Sequence, residues 1–351
     1  MNFPHNLQPG GTIGIVAPSF GASIEPYITR FEVAVRQFKE LGYKVKTGDC
    51  CHKSDGLGIS TAPQIAAREL EDFYLDDSVD AIISCGGGEL MCEVMSYIDF
   101  DKIKKAKPKW FMGYSDNTNF IFPLVTLCGT AAIYGPCAPG FAKPWEQTEA
   151  DAWNLLTGKS NEVKGYPYFQ NPESESEDPL SKYVLDEPKI LKSFIPGAAG
   201  LIQASSNADI EFEGVLAGGC LDILTLHAGT KLDNVKAFNK KYSSVIWAIE
   251  ACDLMPLDIR RALWNLREAG WFDSAKGFIV GRPLAAFRKM TMGVDQYNAV
   301  TDILKSLKVP VIMDADIGHI APAMPLIMGS NAKVHVRGND ITVKMETKAG
   351  F

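Results

Sequence analysis

The sequence predicts an α/β protein of about two domains. Two observations predict this fold class. Through the first half, short apolar runs alternate with helical patterns, which is typical of a parallel sheet covered on both faces. The second half is richer in strand patterns and closes with a hairpin over 333–346. With 351 residues, of which 46% are hydrophobic and 22% charged, the chain is long enough to bury a sizeable core.

Apolar spacing predicts the elements of the first half in order. Continuous apolar runs indicate buried strands, and alternation of apolar and polar residues indicates a half-exposed one. Apolar residues at helical spacing predict the helices, one of which begins at Pro63, a residue suited to a first turn. The predicted strands cover 12–17, 43–47, 79–84 and 109–113, and the predicted helices cover 26–41, 63–74, 89–96 and 117–127.

A change in composition separates the two halves. Residues 165–193 are rich in Pro, Ser and acidic residues, which indicates an exposed connection. We therefore expect an N-terminal domain over 1–164, a linker over 165–195 and a C-terminal domain over 196–351. A long connection at a domain boundary is also able to reach over the cleft. In the second half, the predicted strands cover 213–216, 244–249, 277–280, 309–313 and 333–346, and the predicted helices cover 220–226, 257–269 and 294–307.

The most informative stretch ends an apolar strand at Gly113-Tyr114-Ser115-Asp116. Ligands of parallel sheets bind at the carboxyl ends of the strands, and Ser115 falls at such an end. A serine on a sharp turn between strand and helix presents its hydroxyl outward, and the N–H groups of the helix point at it. This geometry suits a nucleophile. The alternative is that Ser115 or Asp116 only caps the following helix.

Glu250 and His319 each follow a predicted strand, in that order after Ser115. A serine hydroxyl is a weak nucleophile and needs a base, which histidine supplies near neutral pH. A carboxylate then orients the imidazole and stabilises its protonated form. The residues therefore predict a Ser115–His319–Glu250 triad. The alternatives are a hydrogen-bonded loop histidine, and a glutamate that pairs with Arg260 or Arg261 on the next predicted helix.

The loop Gly86-Gly87-Gly88 lies at the end of another predicted strand. Successive glycines leave backbone N–H groups free to face an anion, so this loop and the Asp116 N–H are candidates for an oxyanion hole. A tight turn without a ligand is the alternative. Cys85, directly before the loop, is a second candidate nucleophile, although its apolar neighbours favour a buried, inert thiol.

Composition argues against several other classes. The formal net charge of −7 and the absence of a basic patch argue against a nucleic-acid partner. The N-terminus lacks the pattern of a signal peptide, and no apolar run approaches the roughly 20 residues of a membrane helix. The 8 cysteines are irregularly placed and contain no CxxC pair, which favours reduced thiols in a cytoplasmic protein without a metal. We expect no cofactor.

Six segments, taken together and in order, resemble the serine LD-carboxypeptidase family, which includes murein tetrapeptide carboxypeptidases and microcin C immunity peptidases. The resemblance covers nearly the whole chain, and the GYSD and GH motifs are its most specific parts. The six segments read PGGTIGIVAPS, SCGGGE, FMGYSDNT, GVLAGGCLDILTLHAGT, LDIRRALWNLREAGWF and DADIGHIAPAMPLIMGSNAKV.

The resemblance implies a flavodoxin-like N-terminal domain and a smaller, β-rich α+β C-terminal domain, with the active site between them. It implies that Ser115 is the nucleophile, His319 the base and Glu250 its orienter. Gly87 or Gly88, together with Asp116, would supply the N–H groups of the oxyanion hole. Family members are usually homodimers that need no metal, so a homodimer is expected here.

The chain length and the long middle segment are closer to the microcin-immunity branch of the family. Enzymes of that branch hold the nucleotide of their substrate with an aromatic side chain. Four aromatic residues lie in the corresponding segment of this chain, but the sequence does not select one of them. These residues are Tyr166, Tyr168, Phe169 and Tyr183.

The sequence therefore favours a serine carboxypeptidase or amidase that cuts next to a free carboxylate. The resemblance leaves two substrates open, a murein tetrapeptide ending in D-Ala and a microcin-type aminoacyl-nucleotide. Glu89, directly behind the glycine loop, is a candidate for sensing substrate charge, and the candidates for binding the carboxylate are Arg260, Arg261 and Arg282. The alternative from another class is a two-domain binding protein that closes on a small anion.

Overall fold

The computed structural model describes residues 1–55, 57–174 and 178–347. Residues 175–177 of the predicted linker and 348–351 of the predicted C-terminal domain lie outside this range. In the described part, no helix is both long and apolar enough to cross a membrane.

The first half alternates strands and helices, as its apolar periodicity predicts. In chain order these are β1 Thr12–Val16, α1 Tyr27–Glu40, β2 Lys44–Thr47, α2 Pro63–Leu75, β3 Ala81–Ser84, α3 Met91–Val94, α4 Phe100–Lys105, β4 Trp110–Gly113, α5 Thr118–Thr126, β5 Ala132–Tyr134, α6 Gln147–Thr157 and β6 Glu162–Lys164.

The second half is rich in strands, as expected. It contains β7 Tyr168–Gln170, β8 Leu185–Pro188, β9 Lys192–Gly197, β10 Gly200–Gln203, β11 Asp209–Cys220, α7 Leu221–His227, α8 Val235–Lys241, β12 Val245–Glu250, α9 Pro256–Glu268, β13 Ala275–Gly281, β14 Met290–Thr291, β15 Val294–Asp295, α10 Asn298–Leu304, β16 Val311–Ala315, β17 Leu326–Met328, β18 Asn331–Arg337 and β19 Asp340–Glu346.

Five parallel strands of the first sheet run in the order β2-β1-β3-β4-β5, and β17 adds an antiparallel sixth strand beside β5. This 2-1-3-4-5 order is that of a flavodoxin-like domain. The fold class expected of the N-terminal domain is therefore confirmed. The strands β1, β3 and β4 end near one another, which places the loops after Val16, Ser84 and Gly113 at one edge of the sheet.

The second sheet has nine strands, in the order β10-β9-β16-β13-β12-β11-β18-β19-β6. Its four central strands, β11, β12, β13 and β16, are parallel, and the outer strands pair antiparallel. Every residue of β12 is buried, so this strand delivers Glu250 from the core to the carboxyl edge of the sheet. The strand β16 ends nearby and leads to His319.

The two sheets exchange strands across the expected domain boundaries. The strand β6, from the expected N-terminal domain, pairs with β19 in the second sheet. The strand β17, from the expected C-terminal domain, pairs with β5 in the first. Between the sheets lies α5, whose nine residues are all buried and which packs against β11 and α7. This contact holds the loop of Ser115 against the second half of the chain.

Three expectations need correction. The helix predicted over 89–96 is the single turn Met91–Val94, because the Asp116 carboxylate accepts the Met91 N–H at 2.9 Å and fixes its start there. The helix predicted over 294–307 begins at Asn298, because a tight hairpin with Met292 and Gly293 at positive φ occupies the preceding residues. The expected linker is not purely an open connection, because it contains the β7–β8 hairpin and the start of β9.

Candidate active site

Ser115 occupies a sharp turn between β4 and α5. Its φ of +62° is in the left-handed region, which a residue with a Cβ rarely adopts. Such strain persists only where the surroundings hold it, and it concentrates at functional sites. Here the Tyr134 phenolic oxygen accepts the Ser115 N–H at 3.0 Å. The turn therefore has the strained geometry of a nucleophile between strand and helix.

Ser115, His319 and Glu250 meet although 204 residues separate the serine from the histidine. The Nε2 atom of His319 lies 2.8 Å from Oγ of Ser115. On the other side of the ring, Nδ1 lies 2.8 Å from Oε2 of Glu250. Both distances are within hydrogen-bond reach, so the three side chains form a continuous chain of contacts.

Burial and charge act in opposite directions on this pair. Burial lowers the pKa of His319, but the adjacent Glu250 carboxylate and the Cys252 thiol outweigh it and hold that pKa well above its ordinary value. Burial raises the pKa of Glu250, but His319 and the hydrogen bond from Tyr134 bring that pKa below its ordinary value. The arrangement therefore stabilises a carboxylate beside an imidazolium.

Tyr134 is a site residue that the sequence reasoning missed. It is buried at the end of β5, and its hydroxyl donates to Oε1 of Glu250 at 2.5 Å. The same oxygen accepts the Ser115 N–H, so one phenol contacts both the carboxylate and the turn of the serine. The apolar run Ala131 to Tyr134, which ends at Gly135-Pro136, had the pattern of a strand end and was the available signal.

The glycine loop lies directly against Ser115. A Cβ built on Gly87 would be 3.2 Å from Cβ and 3.3 Å from Oγ of Ser115, so a larger residue here would require the serine to shift. Within the part of the chain that the structure describes, the N–H groups of Gly87 and Asp116 donate to no protein acceptor. Gly88 has a φ of +146°, and a Cβ there would meet Ser19 rather than Ser115.

The Asp116 side chain has a separate, structural position. Its carboxylate accepts hydrogen bonds from Ser19 Oγ at 2.5 Å, from the Met91 N–H at 2.9 Å and from Asn119 Nδ2 at 2.7 Å. These contacts join the loops after β1, β3 and β4. Asp116 therefore fixes the direction of its own backbone N–H beside Ser115.

A cavity of about 440 Å³ adjoins these residues. Two groups of residues in its lining are relevant to function. The first surrounds the serine–histidine contact and includes Gly87, Tyr114, Tyr134 and His319. The second consists of Tyr27, Arg30, Lys143 and Tyr183. The segment expected to be a linker thus contributes to the cleft.

The structure does not bring Arg260 or Arg261 to this cavity. Both lie on α9, where Arg260 pairs with Asp302 at 3.0 Å and Arg261 pairs with Asp258 one turn earlier. The sequence could not show that α9 directs Arg260 toward α10 and Arg261 toward solvent rather than toward the cleft. Arg282 is buried instead, and it binds Asp316 at 2.6 Å.

Glu89 is exposed, beside the glycine loop, and it does not line the cavity. Partial burial and the nearby carboxylates, of which Asp253 has the largest effect, raise its pKa. The Glu89 carboxylate therefore lies outside the cavity, at the edge of the cleft near Asp253 and Asp222.

The geometry gives less support to the alternative nucleophile, Cys85. The Cys85 thiol is buried and directed at the Cys51 carbonyl oxygen, 3.7 Å away, so it does not contact His319. Among residues 1–55, 57–174 and 178–347, no group of three or more His, Cys, Asp or Glu side chains is placed to hold a metal ion.

Two family models match the chain, one on each side of the cleft. The LD-carboxypeptidase N-terminal domain matches residues 13–135, which contain Ser115, and the LD-carboxypeptidase C-terminal domain matches residues 213–334, which contain Glu250 and His319. The chain belongs to the LD-carboxypeptidase family. It is therefore a serine peptidase, a hydrolase of carboxypeptidase type.

Curated relatives of this LD-carboxypeptidase align along almost its full length. YocD of Bacillus subtilis (strain 168), which is named as a carboxypeptidase, is 25% identical and the alignment covers 95% of each chain. The microcin C7 self-immunity protein MccF of Escherichia coli is 24% identical over 96% of this chain and 94% of its own.

Solved structures show the same fold. MccF in complex with glutamyl sulfamoyl guanosine superposes with a TM-score of 0.77 at 21% identity, and the match covers 98% of each chain. The muramoyltetrapeptide carboxypeptidase from Oxalobacter formigenes superposes with a TM-score of 0.70, also at 21% identity, over 96% of this chain and 99% of its own. The two-domain architecture expected from the resemblance is therefore confirmed.

Proposed function

We propose that this LD-carboxypeptidase hydrolyses an amide near a free carboxylate through an acyl-enzyme formed on Ser115. The observation that carries the proposal is the pair of 2.8 Å contacts that link Ser115 to His319 and His319 to Glu250. In its neutral form, His319 Nε2 removes the hydroxyl proton as Ser115 attacks the carbonyl carbon. Glu250 holds Nδ1 and stabilises the imidazolium.

The remaining steps balance with water as the only further reactant. When the tetrahedral intermediate collapses, the C–N bond breaks and His319 passes its proton to the leaving nitrogen. Water then attacks the serine ester, again losing a proton to His319, and the serine oxygen recovers that proton as the acid product departs.

The oxyanion of each tetrahedral intermediate would be stabilised by the N–H groups of Gly87 and Asp116. Two features support this assignment: Gly87 touches Ser115, and Asp116 follows it in the turn. The N–H of Ser115 itself already donates to Tyr134 and is therefore not a candidate. Gly88, which approaches Ser19, supports the shape of the loop.

The substrate would be a murein tetrapeptide ending in D-Ala or an aminoacyl-nucleotide of the microcin type. The likeness to a muramoyltetrapeptide carboxypeptidase favours the first, and the likeness to MccF bound to glutamyl sulfamoyl guanosine favours the second. Of the four aromatic residues in the middle segment, Tyr183 lines the cavity. It is therefore the candidate to stack on a nucleobase.

A paired hydrolysis assay tests the proposal. The wild-type protein and Ser115→Ala would each receive a murein tetrapeptide ending in D-Ala and an aminoacyl-sulfamoyl adenosine, with products identified by mass spectrometry. We expect wild type to cleave one of them and Ser115→Ala to lose at least about 1,000-fold in rate. Ser96→Ala, which changes an exposed serine elsewhere, should retain full activity. Equal rates for wild type and a folded Ser115→Ala would refute the proposal.

A further inference from the structure

Two buried polar side chains connect the turn of the nucleophile to the second half of the chain. Asn119 lies in the first turn of α5 and is fully buried, and His227 ends α7 and is 2% exposed. Their side chains meet, with Nε2 of His227 2.9 Å from Oδ1 of Asn119 across 108 positions of sequence. Neither residue lines the cavity beside His319, so the catalytic steps do not use them directly.

Asn119 holds Asp116 through two different groups. Its Nδ2 donates to the Asp116 main-chain carbonyl oxygen at 3.0 Å and to Oδ1 of the Asp116 carboxylate at 2.7 Å. Asp116 is the residue whose N–H is assigned to the oxyanion hole in the proposed function. Because Asn119 contacts both the carbonyl and the side chain of Asp116, a displaced amide would change the direction of the Asp116 N–H beside Ser115.

The contacts of Asn119 also determine the tautomer of His227. A main-chain carbonyl oxygen only accepts hydrogen bonds, so the amide atom that faces Asp116 is the nitrogen, and the amide oxygen faces His227. That oxygen is an acceptor as well, so Nε2 of His227 carries the hydrogen. Within the residues that the structure describes, Nδ1 of His227 has no hydrogen-bond partner, as suits the unprotonated nitrogen of a neutral ring.

The surroundings of His227 keep its imidazole neutral. Burial lowers the pKa of His227 to about 4, although the nearby Asp233 carboxylate acts in the opposite direction. The ring packs against Phe122 of α5, with 6.0 Å between the ring centres. The main-chain carbonyl of His227 accepts hydrogen bonds from the N–H and the hydroxyl of Thr230, at 3.0 and 2.8 Å, which fixes the end of α7. The Nε2–H donor therefore keeps one direction at neutral pH.

We propose that His227 and Asn119 are positioning residues of the catalytic turn. The hydrogen bonds run in one direction, from His227 to Asn119 and from Asn119 to Asp116, and they orient the Asp116 N–H toward the oxyanion. This inference rests on the proposed function, because it takes that N–H as a donor of the oxyanion hole. It gives α7 a contribution to the reaction in addition to those of Glu250 and His319.

Replacing His227 tests the proposal through the reactivity of Ser115. An alkyl fluorophosphonate modifies an activated serine with loss of fluoride, and its phosphoryl oxygen occupies the oxyanion position, so the natural substrate need not be known. His227→Phe keeps a ring but removes the donor, whereas His227→Gln keeps an N–H donor close to the position of Nε2. We expect labelling of Ser115 to slow about tenfold or more in His227→Phe and to stay within about threefold of wild type in His227→Gln.

Leu224→Ala, on the same helix, is the matched control for a general loss of stability. It opens a cavity at a fully buried position and leaves the three hydrogen-bonded side chains unchanged. It should unfold at a lower temperature than wild type, but its folded form should keep the wild-type labelling rate. With a substrate that wild type cleaves, His227→Phe should lower kcat and leave KM nearly unchanged.

Three results would overturn the proposal. The first is an equal labelling rate for wild type and folded His227→Phe. The second is an equal loss of rate in His227→Phe and Leu224→Ala, which would show a structural role only. The third is a His227→Gln variant as slow as His227→Phe, which would show that the ring and not the donor matters.

NMR of protein labelled with ¹⁵N in histidine tests the direction of the hydrogen bonds without any reaction. Two-bond ¹H–¹⁵N spectra distinguish the two neutral tautomers from each other and from the protonated ring. We expect His227 to show the neutral Nε2–H form throughout about pH 6–9, although an unperturbed histidine titrates near 6.5. An Nδ1–H form, or protonation of His227 in this range, would overturn the proposal.

The two proposals fail separately. If Ser115 of wild type reacts with neither the fluorophosphonate nor an amide, the catalytic proposal fails and the positioning role falls with it. If wild type reacts and His227→Phe reacts equally well, the catalytic proposal stands and only the positioning role of His227 fails.

Discussion

Tyr134 donates its phenolic hydrogen to Oε1 of Glu250 over 2.5 Å, while Oε2 of the same carboxylate contacts His319 at 2.8 Å. Both oxygens of Glu250 are therefore occupied, and the carboxylate cannot rotate without breaking one contact. The Tyr134 oxygen also accepts the Ser115 N–H. One buried tyrosine thus positions the orienting carboxylate and the turn of the nucleophile together.

Replacing Tyr134 with Phe should separate this positioning role from a general loss of structure. We expect kcat to fall about 10- to 100-fold, as for other groups that orient a catalytic side chain, with a smaller change in KM. Without the phenol, the Glu250 charge acts more strongly on His319, so the rising limb of the kcat/KM profile should move to higher pH. Stopped assays across pH 5–10 measure both effects.

The matched control is Tyr97→Phe, which removes an exposed hydroxyl that accepts a hydrogen bond from Gln64. It should change neither kcat nor the pH profile. A Tyr134→Phe variant that loses thermal stability but keeps the wild-type pH profile would contradict the positioning role.

The pKa of His319 makes a prediction for the wild-type enzyme. Because Glu250 holds that pKa well above the ordinary 6.5, the neutral base forms only at higher pH, and kcat/KM should rise with pH through a value above 6.5. A rising limb at or below pH 6.5 would argue against the His319–Glu250 pairing in the free enzyme.

The same pair affects stability, with a sign that follows from linkage. The raised pKa of His319 gives a stabilisation that is fully present below the unfolded-state value of about 6.5 and is lost as pH rises through the folded-state pKa. The lowered pKa of Glu250 gives a second stabilisation, which is lost as pH falls through the folded-state pKa of Glu250. Urea unfolding of wild type and of His319→Gln across pH 4–10 tests both signs. The difference between their free energies of unfolding should become smaller toward both ends of this pH range.

Gly87→Ala tests the approach of the glycine loop to the nucleophile. The added methyl group would press on Cβ and Oγ of Ser115 at 3.2 and 3.3 Å, so either the serine or the proposed oxyanion donor must move. Loss of one such donor costs about 100- to 1,000-fold in kcat. Gly86→Ala crowds the Phe20 carbonyl oxygen at 3.3 Å instead and should cost much less. Equal losses for the two variants would remove Gly87 from the oxyanion hole.

The sequence predicted those parts of the molecule that depend on local pattern. The strands that carry Ser115 and Glu250 are continuous apolar runs, and a polar residue after each run marked the edge where ligands bind. The exchange of β6 and β17 between the sheets depends on long-range pairing, which apolar spacing does not encode. The contact between Tyr134 and Glu250 joins residues 116 positions apart and had no local signal beyond a strand end.

The cationic side chains that line the cleft were also not predictable from local pattern, because their positions depend on long-range packing. Arg260, Arg261 and Arg282 are the sequence's candidates for binding the substrate carboxylate, but α9 turns the first two away from the cleft and Arg282 is buried against Asp316. Arg30 precedes the nucleophile by 85 residues and enters the lining through the packing of α1. The sequence alone thus does not show which charges face a cleft built from two sheets.

Asp116→Asn separates the side chain of this residue from its proposed backbone role. The carboxylate accepts three hydrogen bonds while nearly fully buried, and an amide nitrogen in its place would face a donor. We expect a loss of about 2–3 kcal/mol in the free energy of unfolding, with reduced kcat, because three loops of the site share this anchor. Asp72→Asn, at an exposed position, should change neither. An Asp116→Asn protein of wild-type stability would contradict the anchor.

Asp316 lies three residues before His319 and is the counter-charge of a buried ion cluster. It binds Arg282 at 2.6 Å and Lys189 at 3.5 Å, and it accepts the Tyr166 N–H at 2.8 Å. Its side chain is fully buried, so Asp316→Asn leaves two buried cations without a charge partner. Breaking a buried pair in this way costs about 3–5 kcal/mol.

Asp302→Asn provides the matched comparison, because Asp302 pairs with Arg260 at 3.0 Å where both side chains are partly exposed to solvent rather than buried. Such surface pairs contribute about 0–1 kcal/mol. Urea unfolding at pH 7 should therefore rank Asp316→Asn well below Asp302→Asn in stability. Because the cluster anchors the loop that carries His319, kcat of the folded Asp316→Asn protein should fall as well. Similar unfolding free energies for the two variants would show that the cluster does not hold this loop.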